Sequence, residues 1–284
     1  MQLDNNWFTE KSDEFGLAFS LSIKERLHSE QSKFQKIEIY ETKTFGTLMV
    51  IDGFIMLSDR DNFIYHEMMS HVPIMGHCAP RDIAIIGGGD CGTLKETLKH
   101  ASVQSVIQVD IDERVTRLSE QFFPQLCEAN NDARAKLAFE DGIKWMAQME
   151  DQSLDVIIVD STDPVGPAVG LFQDTFYSDC FRVLRKDGLI IQQSGSPLLN
   201  TDLIKGIRDV ASAVGFKAVQ TLGFPVCVYP SGWWSATIAY KEQPLANIRV
   251  ELVESDFELN TQYYNKEIHQ LSFAMPRFLQ RAVE

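Results

Sequence analysis

Residues 83–96, IAIIGGGDCGTLKE, constrain the fold of this chain more than any other stretch. Ile83, Ala84, Ile85 and Ile86 make an unbroken apolar run, the pattern of a strand buried on both faces. Three glycines follow, then Asp90, Cys91 and Gly92, and a helix-forming segment starts at Thr93. Strand, glycine turn and helix make the first βα corner of a doubly wound α/β fold. Gly87, Gly89 and Gly92 satisfy the G-x-G-x-x-G spacing, which lets backbone approach a nucleotide closely. Asp90 sharpens the reading. In a dinucleotide site this loop faces a pyrophosphate, which a carboxylate repels. The same carboxylate suits a cation such as a sulfonium or an ammonium, so the loop reads as holding a positively charged nucleoside rather than NAD. The other role open to Asp90 is to cap the following helix.

The βα rhythm continues past this corner. Strands are expected at residues 105–109 (SVIQV), 136–140 (KLAFE), 155–159 (DVIIV) and 188–192 (GLIIQ), with weaker ones near 216–221 and 235–240. Helices are expected at 114–123, stopped by Pro124, and at 143–149, and the C-terminal tail has helical character. Asp110 lies 18 residues past Gly92, where a nucleotide fold places the carboxylate that accepts ribose hydroxyls. Asp90, Asp110, Asp141, Asp160 and Asp163 all fall just beyond the carboxyl ends of the first four strands, the edge on which open parallel sheets bind ligands. Any one of them could be a turn or cap residue, because such loops favour aspartate. Five on one edge point further. Crowded carboxylates shift one another upward in pKa unless cations neutralise them, so this edge wants an amine.

Residues 1–62 read differently, as a small antiparallel β domain, leaving 63–284 as the nucleoside-binding domain. KFQKIEIY at 33–40 alternates, and Asp52-Gly53 between the apolar runs 47–51 and 54–57 is a hairpin signal. A helix at 63–75 (FIYHEMMSHVPIM), with Pro73 near its end, connects the two parts and carries Tyr65, His66 and Glu67 together. A lone helix histidine by itself implies no role.

The 284 residues carry a net charge of −14. That argues against nucleic acid or an anionic membrane surface as partner, since both call for basic patches. The five cysteines include no C-x-x-C pair, so neither a zinc site nor a disulfide framework is indicated and a reducing compartment is expected. The first ten residues hold acids and no apolar core, and no apolar run approaches membrane-spanning length. A soluble, cytoplasmic protein is expected.

At these residues the chain resembles the polyamine aminopropyltransferases, and among them the spermidine synthases. The resemblance runs over nearly the whole chain: WFTE (7–10), IDG (51–53), DRDNFIYHEM (59–68), IIGGGD (85–90), DSTDPVGP (160–167), YPSG (229–232) and YYNKEIH (263–269). It implies a class I methyltransferase-like sheet with the added N-terminal β domain, and a homodimer or homotetramer. It also implies transfer of an aminopropyl group from decarboxylated S-adenosylmethionine to putrescine, leaving spermidine and methylthioadenosine, with no separate cofactor and no metal. By motif position, Gln35 and Asp110 hold the nucleoside, Asp141 accepts the adenine amino group beside Gly142, and Pro167 lines the adenine. Asp90 takes the ammonium of the aminopropyl arm. His66, Asp160 and Asp163 contact the diamine, with Tyr65 and Tyr229 beside the attacking nitrogen and residues 164–170 closing over the site. Asp160 is the expected proton acceptor.

The chain departs from the family pattern in three places. Asp110 stands where glutamate is usual, Cys91 replaces a glycine, and Trp233 precedes the common Trp234. Two other readings share the scaffold. A methyltransferase using intact S-adenosylmethionine would bring a second carboxylate near Asp90. A non-catalytic nucleoside or polyamine binder would have no need of Asp160, Tyr65 and Tyr229 together.

Overall fold

The computed structural model describes residues 6–242 and 259–283. Residues 1–5 of the opening segment and 243–258 of the tail read as helical lie outside the described residues. Strands β1 (Trp7–Ser12), β2 (Leu17–Gln31), β3 (Lys36–Thr42), β4 (Thr47–Ile51) and β5 (Phe54–Ser58) form one antiparallel sheet in chain order. Asp52 and Gly53 turn β4 into β5 with positive φ at both residues, 50° and 89°, as a tight hairpin turn requires. The alternation read at 33–40 does not describe β3. Ile37, Glu38 and Ile39 are all buried, with the Glu38 carboxylate held by Arg26 at 3.1 Å and Lys36 at 2.9 Å. β1 and the long β2 have no counterpart in the sequence reading. Register shifts interrupt the β2–β3 ladder between Ile23 and Glu25 and between Arg26 and His28, and each shift resets the two-residue period.

The second sheet contains β6 (Asp82–Gly87), β7 (Ser105–Asp110), β8 (Ala135–Phe139), β9 (Leu154–Asp160), β10 (Leu184–Gln193), β11 (Ala218–Pro225) and β12 (Trp233–Tyr240). Its spatial order is β11-β12-β10-β9-β6-β7-β8. The expected open parallel sheet needs one correction: β12 runs antiparallel to both β10 and β11. The link between β11 and β12 is residues 226–232, too short for the crossover that parallel neighbours need. β6 pairs with β7 on one side and β9 on the other, so the chain reverses its direction of winding there, where such folds open a crevice.

The α-helices among the described residues are α1 (Asn62–Met75), α2 (Gly92–Leu98), α3 (Glu113–Phe122), α4 (Gly142–Gln148), α5 (Asp174–Val183), α6 (Thr201–Val214), α7 (Lys266–Ser272) and α8 (Arg277–Val283). The sequence reading assigned neither α5 nor α6, although Phe176, Tyr177, Cys180 and Val183 bury one stripe of α5. Gly166–Phe172 is a 3₁₀ helix rather than a plain loop, anchored by buried Ala168, Leu171 and Phe172. No helix among the described residues is long and apolar enough to cross a membrane.

Two packing arrangements place the site. The N-terminal sheet sets Ile37, Ile39, Met49, Ile51 and Leu57 against Val115, Leu118 and Phe123 on or beside α3. Helix α1 is buried continuously from Tyr65 to Met75, so its polar residues must find partners inside the protein. His66 meets Asp90 at 3.1 Å, Ser70 donates to the Thr93 carbonyl at 3.0 Å, and His71 meets Glu96 at 3.1 Å. Glu67 accepts the backbone N–H groups of Gln262, Tyr263 and Tyr264, each at 2.8 Å.

Glu67 thus ties the C-terminal segment to the core. Glu67→Gln turns an amide NH₂ toward backbone N–H donors, and a net loss of about 2–3 kcal/mol is expected. Urea unfolding should show the lower midpoint, and limited proteolysis should release the last 25 or so residues faster. An unchanged midpoint with unchanged cleavage would remove this anchoring role.

Candidate active site

One cavity of about 1070 Å³, counting its open mouth, lies at the carboxyl edge of β6, β7 and β9. Both parts of the chain wall it. The N-terminal sheet and its β2–β3 loop supply Phe34, Gln35, Met49, Ile51 and Met56, while α1 supplies Tyr65. The main domain supplies residues 86–90, Asp110, Val115, Asp141, Gly142 and Asp160, together with Pro167, Ala168 and Tyr229. Gln35 is held by a short chain of bonds. The Ser32 hydroxyl accepts the Phe34 and Gln35 N–H groups, both at 3.0 Å, and donates to Asp112 at 2.6 Å.

The glycines are required by close approach. Gly87 has φ +87°, and a Cβ there would lie 2.1 Å from the Asp160 carbonyl oxygen. The Gly88 N–H donates to that oxygen at 2.7 Å. A Cβ on Gly92 would strike the His66 ring at 2.2 Å. Cys91, between them, is buried with φ 68°, a left-handed conformation that costs a residue with a Cβ about 1–2 kcal/mol.

Asp160 ends β9 with both oxygens engaged: Tyr65 Oη donates to Oδ1 at 2.7 Å and Thr93 Oγ1 to Oδ2 at 2.6 Å. Burial, and then the charge of Asp90, raise its pKa above the ordinary aspartate value against these two donors and His66. Asp90 behaves differently. Burial works to raise it, but His66 beside it and the Gly92 N–H at 2.7 Å hold its carboxyl below the usual range. His66 shifts upward, because the Asp90 carboxylate outweighs the burial that would lower it. Each group thus favours the charged form of the other. The contact with Gly92 is a local one at the helix start, although Cys91 and not Asp90 occupies the cap position.

Burial pushes Asp110 up to about 7, although it accepts the Asp112 N–H at 2.8 Å. Gly89 lies against it, since a Cβ there would come within 2.8 Å of Asp110 Oδ2. Asp141 caps α4 by accepting the Ile143 N–H at 3.0 Å, and Lys144 stands 3.2 Å from its other oxygen. Tyr229 donates to the Met56 carbonyl at 2.5 Å and packs on Trp234, 4.6 Å between ring centres. These side chains, with the half-buried carboxylates of Asp90 and Asp160, line or border one cavity.

His66 and Asp163, which the resemblance places on the diamine, do not line this cavity. His66 is 2 % exposed, behind Asp90. Asp163 accepts from Gln193 at 3.3 Å, and burial raises its pKa. The sequence reading missed Thr93, Gln193 and Glu10. Burial pushes Glu10 up to about 7 in the electrostatic reach of Asp163. Glu10 carried a signal in its place within WFTE, and Thr93 in being a hydroxyl on the first turn of a buried helix. Gln193, at the end of an apolar strand, carried none.

Known proteins resemble this chain over nearly its whole length. The family described as "Spermine/spermidine synthase domain" matches residues 62–249, and "Spermidine synthase tetramerisation domain" matches residues 6–59. A polyamine aminopropyltransferase of Thioalkalivibrio sulfidiphilus is 57 % identical over 282 residues, covering 99 % of each chain. That of Methylococcus capsulatus is 54 % identical, covering 96 % of this chain and 95 % of its own. A crystal structure of spermidine synthase in complex with the transition state analogue AdoDATO superposes with a TM-score of 0.94 at 33 % identity, over 100 % of this chain and 96 % of the other. Spermidine synthase from Thermotoga maritima gives 0.91 at 33 % identity, over 98 % and 94 %.

The raised pKa of Asp110 gives a sign that can be measured. Its folded value of about 7 lies above the ordinary aspartate value of about 4, so between those values the folded state holds a proton that the unfolded state has released. Stability from this residue is full below about 4 and is lost as pH rises toward 7. Asp110→Asn should flatten that slope, and the variant should gain on wild type in urea midpoint between pH 5 and 8. Equal slopes in the two proteins would rule out an electrostatic strain at Asp110.

Proposed function

The chain belongs to the spermine/spermidine synthase family of polyamine aminopropyltransferases, and from that premise we propose that it moves the aminopropyl group of decarboxylated S-adenosylmethionine onto putrescine, giving spermidine and methylthioadenosine. The observation that carries this reading is the carboxylate pair, Asp90 and Asp160, in a cavity also walled by Asp110, Asp141 and Gln35. Such a pair suits a cationic arm and an amine, and the cavity suits a nucleoside.

The chemistry needs little from the protein beyond charge and alignment. A sulfonium is already an activated leaving group. The attacking nitrogen of putrescine must be neutral, so one ammonium proton passes to the Asp160 carboxylate. The nitrogen lone pair then forms the N–C bond while the C–S bond breaks, and its electron pair stays on sulfur as a neutral thioether. The product nitrogen is a secondary ammonium. An Asp160 carboxyl raised by burial is a better proton acceptor than an ordinary aspartate, and Tyr65, whose own pKa burial raises well above 10, stays a hydrogen-bond donor. Alignment in the cavity contributes several kcal/mol more.

Asp110 and Gln35 are assigned to the nucleoside, Asp141 to the adenine amino group with Gly142 allowing close approach, and Pro167 to the adenine face. His66 is assigned to Asp90 rather than to the diamine. Asp163, with Glu10 in its field, lies off the cavity wall, so its assignment to the distal ammonium rests on the resemblance alone, and Tyr229 covers the carbon chain. The tetramerisation match over residues 6–59 supports an oligomer joined through the N-terminal sheet, where Trp7, Leu27 and Phe54 are exposed; light scattering distinguishes dimer from tetramer.

Asp160→Asn should lower kcat by about 10²–10⁴ with methylthioadenosine affinity largely retained. Near-normal turnover in that variant would sink the assignment of the proton acceptor. Mass spectrometry of products from putrescine, cadaverine and agmatine reads the amine preference in the same assay.

Asp90 separates this reading from a methyltransferase. Intact S-adenosylmethionine brings a carboxylate toward Asp90, so the decarboxylated form should be preferred. Removing one member of an ion pair costs about 3–5 kcal/mol when burial is complete and less where water can enter; Asp90 is 17 % exposed, so a smaller loss is expected, and Asp90→Asn should weaken the good ligand more than the poor one. Competition binding with both nucleosides measures the ratio; a ratio unchanged by the substitution returns Asp90 to a helix-start role alone.

A further inference from the structure

We propose that Thr93 is a positioning residue for aminopropyl transfer, its hydroxyl holding the Asp160 carboxylate in the orientation from which it meets the amine. This rests on the reading of Asp160 as proton acceptor. The geometry comes from three elements. Asp160 ends β9, Tyr65 of α1 donates to Oδ1 at 2.7 Å, and Thr93 of α2 donates to Oδ2 at 2.6 Å. The terminal torsion of an aspartate is broad and two-fold, so a single donor leaves the carboxylate free to rock about that bond. Donors on both oxygens, from different helices, fix its plane and leave each oxygen a further lone pair.

Thr93 is built for this task. It is fully buried, and its carbonyl accepts the Ser70 hydroxyl at 3.0 Å, so α1 fixes the backbone that carries it. A threonine in a helix commonly turns its hydroxyl back on the preceding turn; this one reaches across to the sheet. Thr93 is not part of the cavity wall, so it acts through Asp160 and not on substrate. A hydroxyl donor also favours the carboxylate over the carboxylic acid, which opposes the burial and the Asp90 charge that push Asp160 the other way. Without it, Asp160 stays protonated, and unable to accept, to higher pH.

The sign follows. In Thr93→Val, similar in shape and lacking the donor, the single-turnover rate should fall roughly 10-fold on the acid side of the profile and recover as pH rises. Its acid limb should move upward by about one pH unit. Thr93→Ser, which keeps the hydroxyl, should restore the wild-type limb, and methylthioadenosine affinity should stay within about 2-fold in both. Placed on Asp160→Asn, Thr93→Val should cause no further loss, because its partner is already altered. If the valine variant does not fold by circular dichroism, Thr93→Ala compared with Thr93→Ser gives the same contrast. An acid limb that does not move, or an equal further loss on the Asp160→Asn background, overturns the proposal for Thr93 while leaving Asp160 in place. Normal turnover by Asp160→Asn alone is a different result, and it removes the functional reading on which the inference rests.

Discussion

The parallel pairing of β6 with β9 sets Gly87 opposite Asp160, and the site depends on how close those two backbones come. The Gly88 N–H donates to the Asp160 carbonyl at 2.7 Å, and a Cβ at Gly87 would lie 2.1 Å from the same oxygen. No side chain fits there. Because the strand end and the glycine turn are locked together, Asp90 on the turn and Asp160 on the strand share one pocket. The helix that follows the turn brings Thr93 within reach of the same carboxylate.

That closeness creates an electrostatic problem which the rest of the site manages. Asp90, Asp110 and Asp160 repel one another inside low-dielectric surroundings. Asp90 is relieved by His66, and it is the one of the three held below its ordinary range. Asp110 and Asp160 are both raised. Positive charge brought into the cavity would relieve the remaining repulsion, so the free protein keeps a destabilising arrangement there. The room for His66 is itself bought by a glycine, since Gly92 is where the imidazole packs.

The N-terminal sheet belongs to the same machine. Its apolar face packs on and beside α3, and the Ser32–Asp112 bond carries its β2–β3 loop onto the carboxyl edge of the second sheet. Gln35, Met49 and Ile51 thereby face Asp110 and Asp141 across one cavity. Buried α1 joins the halves, and each of its interior polar groups at 66, 67, 70 and 71 is used to fix a neighbour.

The sequence by itself determined the βα succession and the row of aspartates, because buried parallel strands demand apolar runs and ligand edges fall at their ends. It also carried the family, in motifs spread from WFTE to YYNKEIH. It did not determine β1 and β2, whose period is broken by register shifts, nor the reversed β12, which depends on a link too short for a crossover. Nor did it assign His66 to Asp90 or Thr93 to Asp160. Those pairings join residues far apart in the chain, at angles fixed by how α1 and α2 pack on the sheet. Local pattern reports which face of an element is buried, and only the packed structure decides what that face meets.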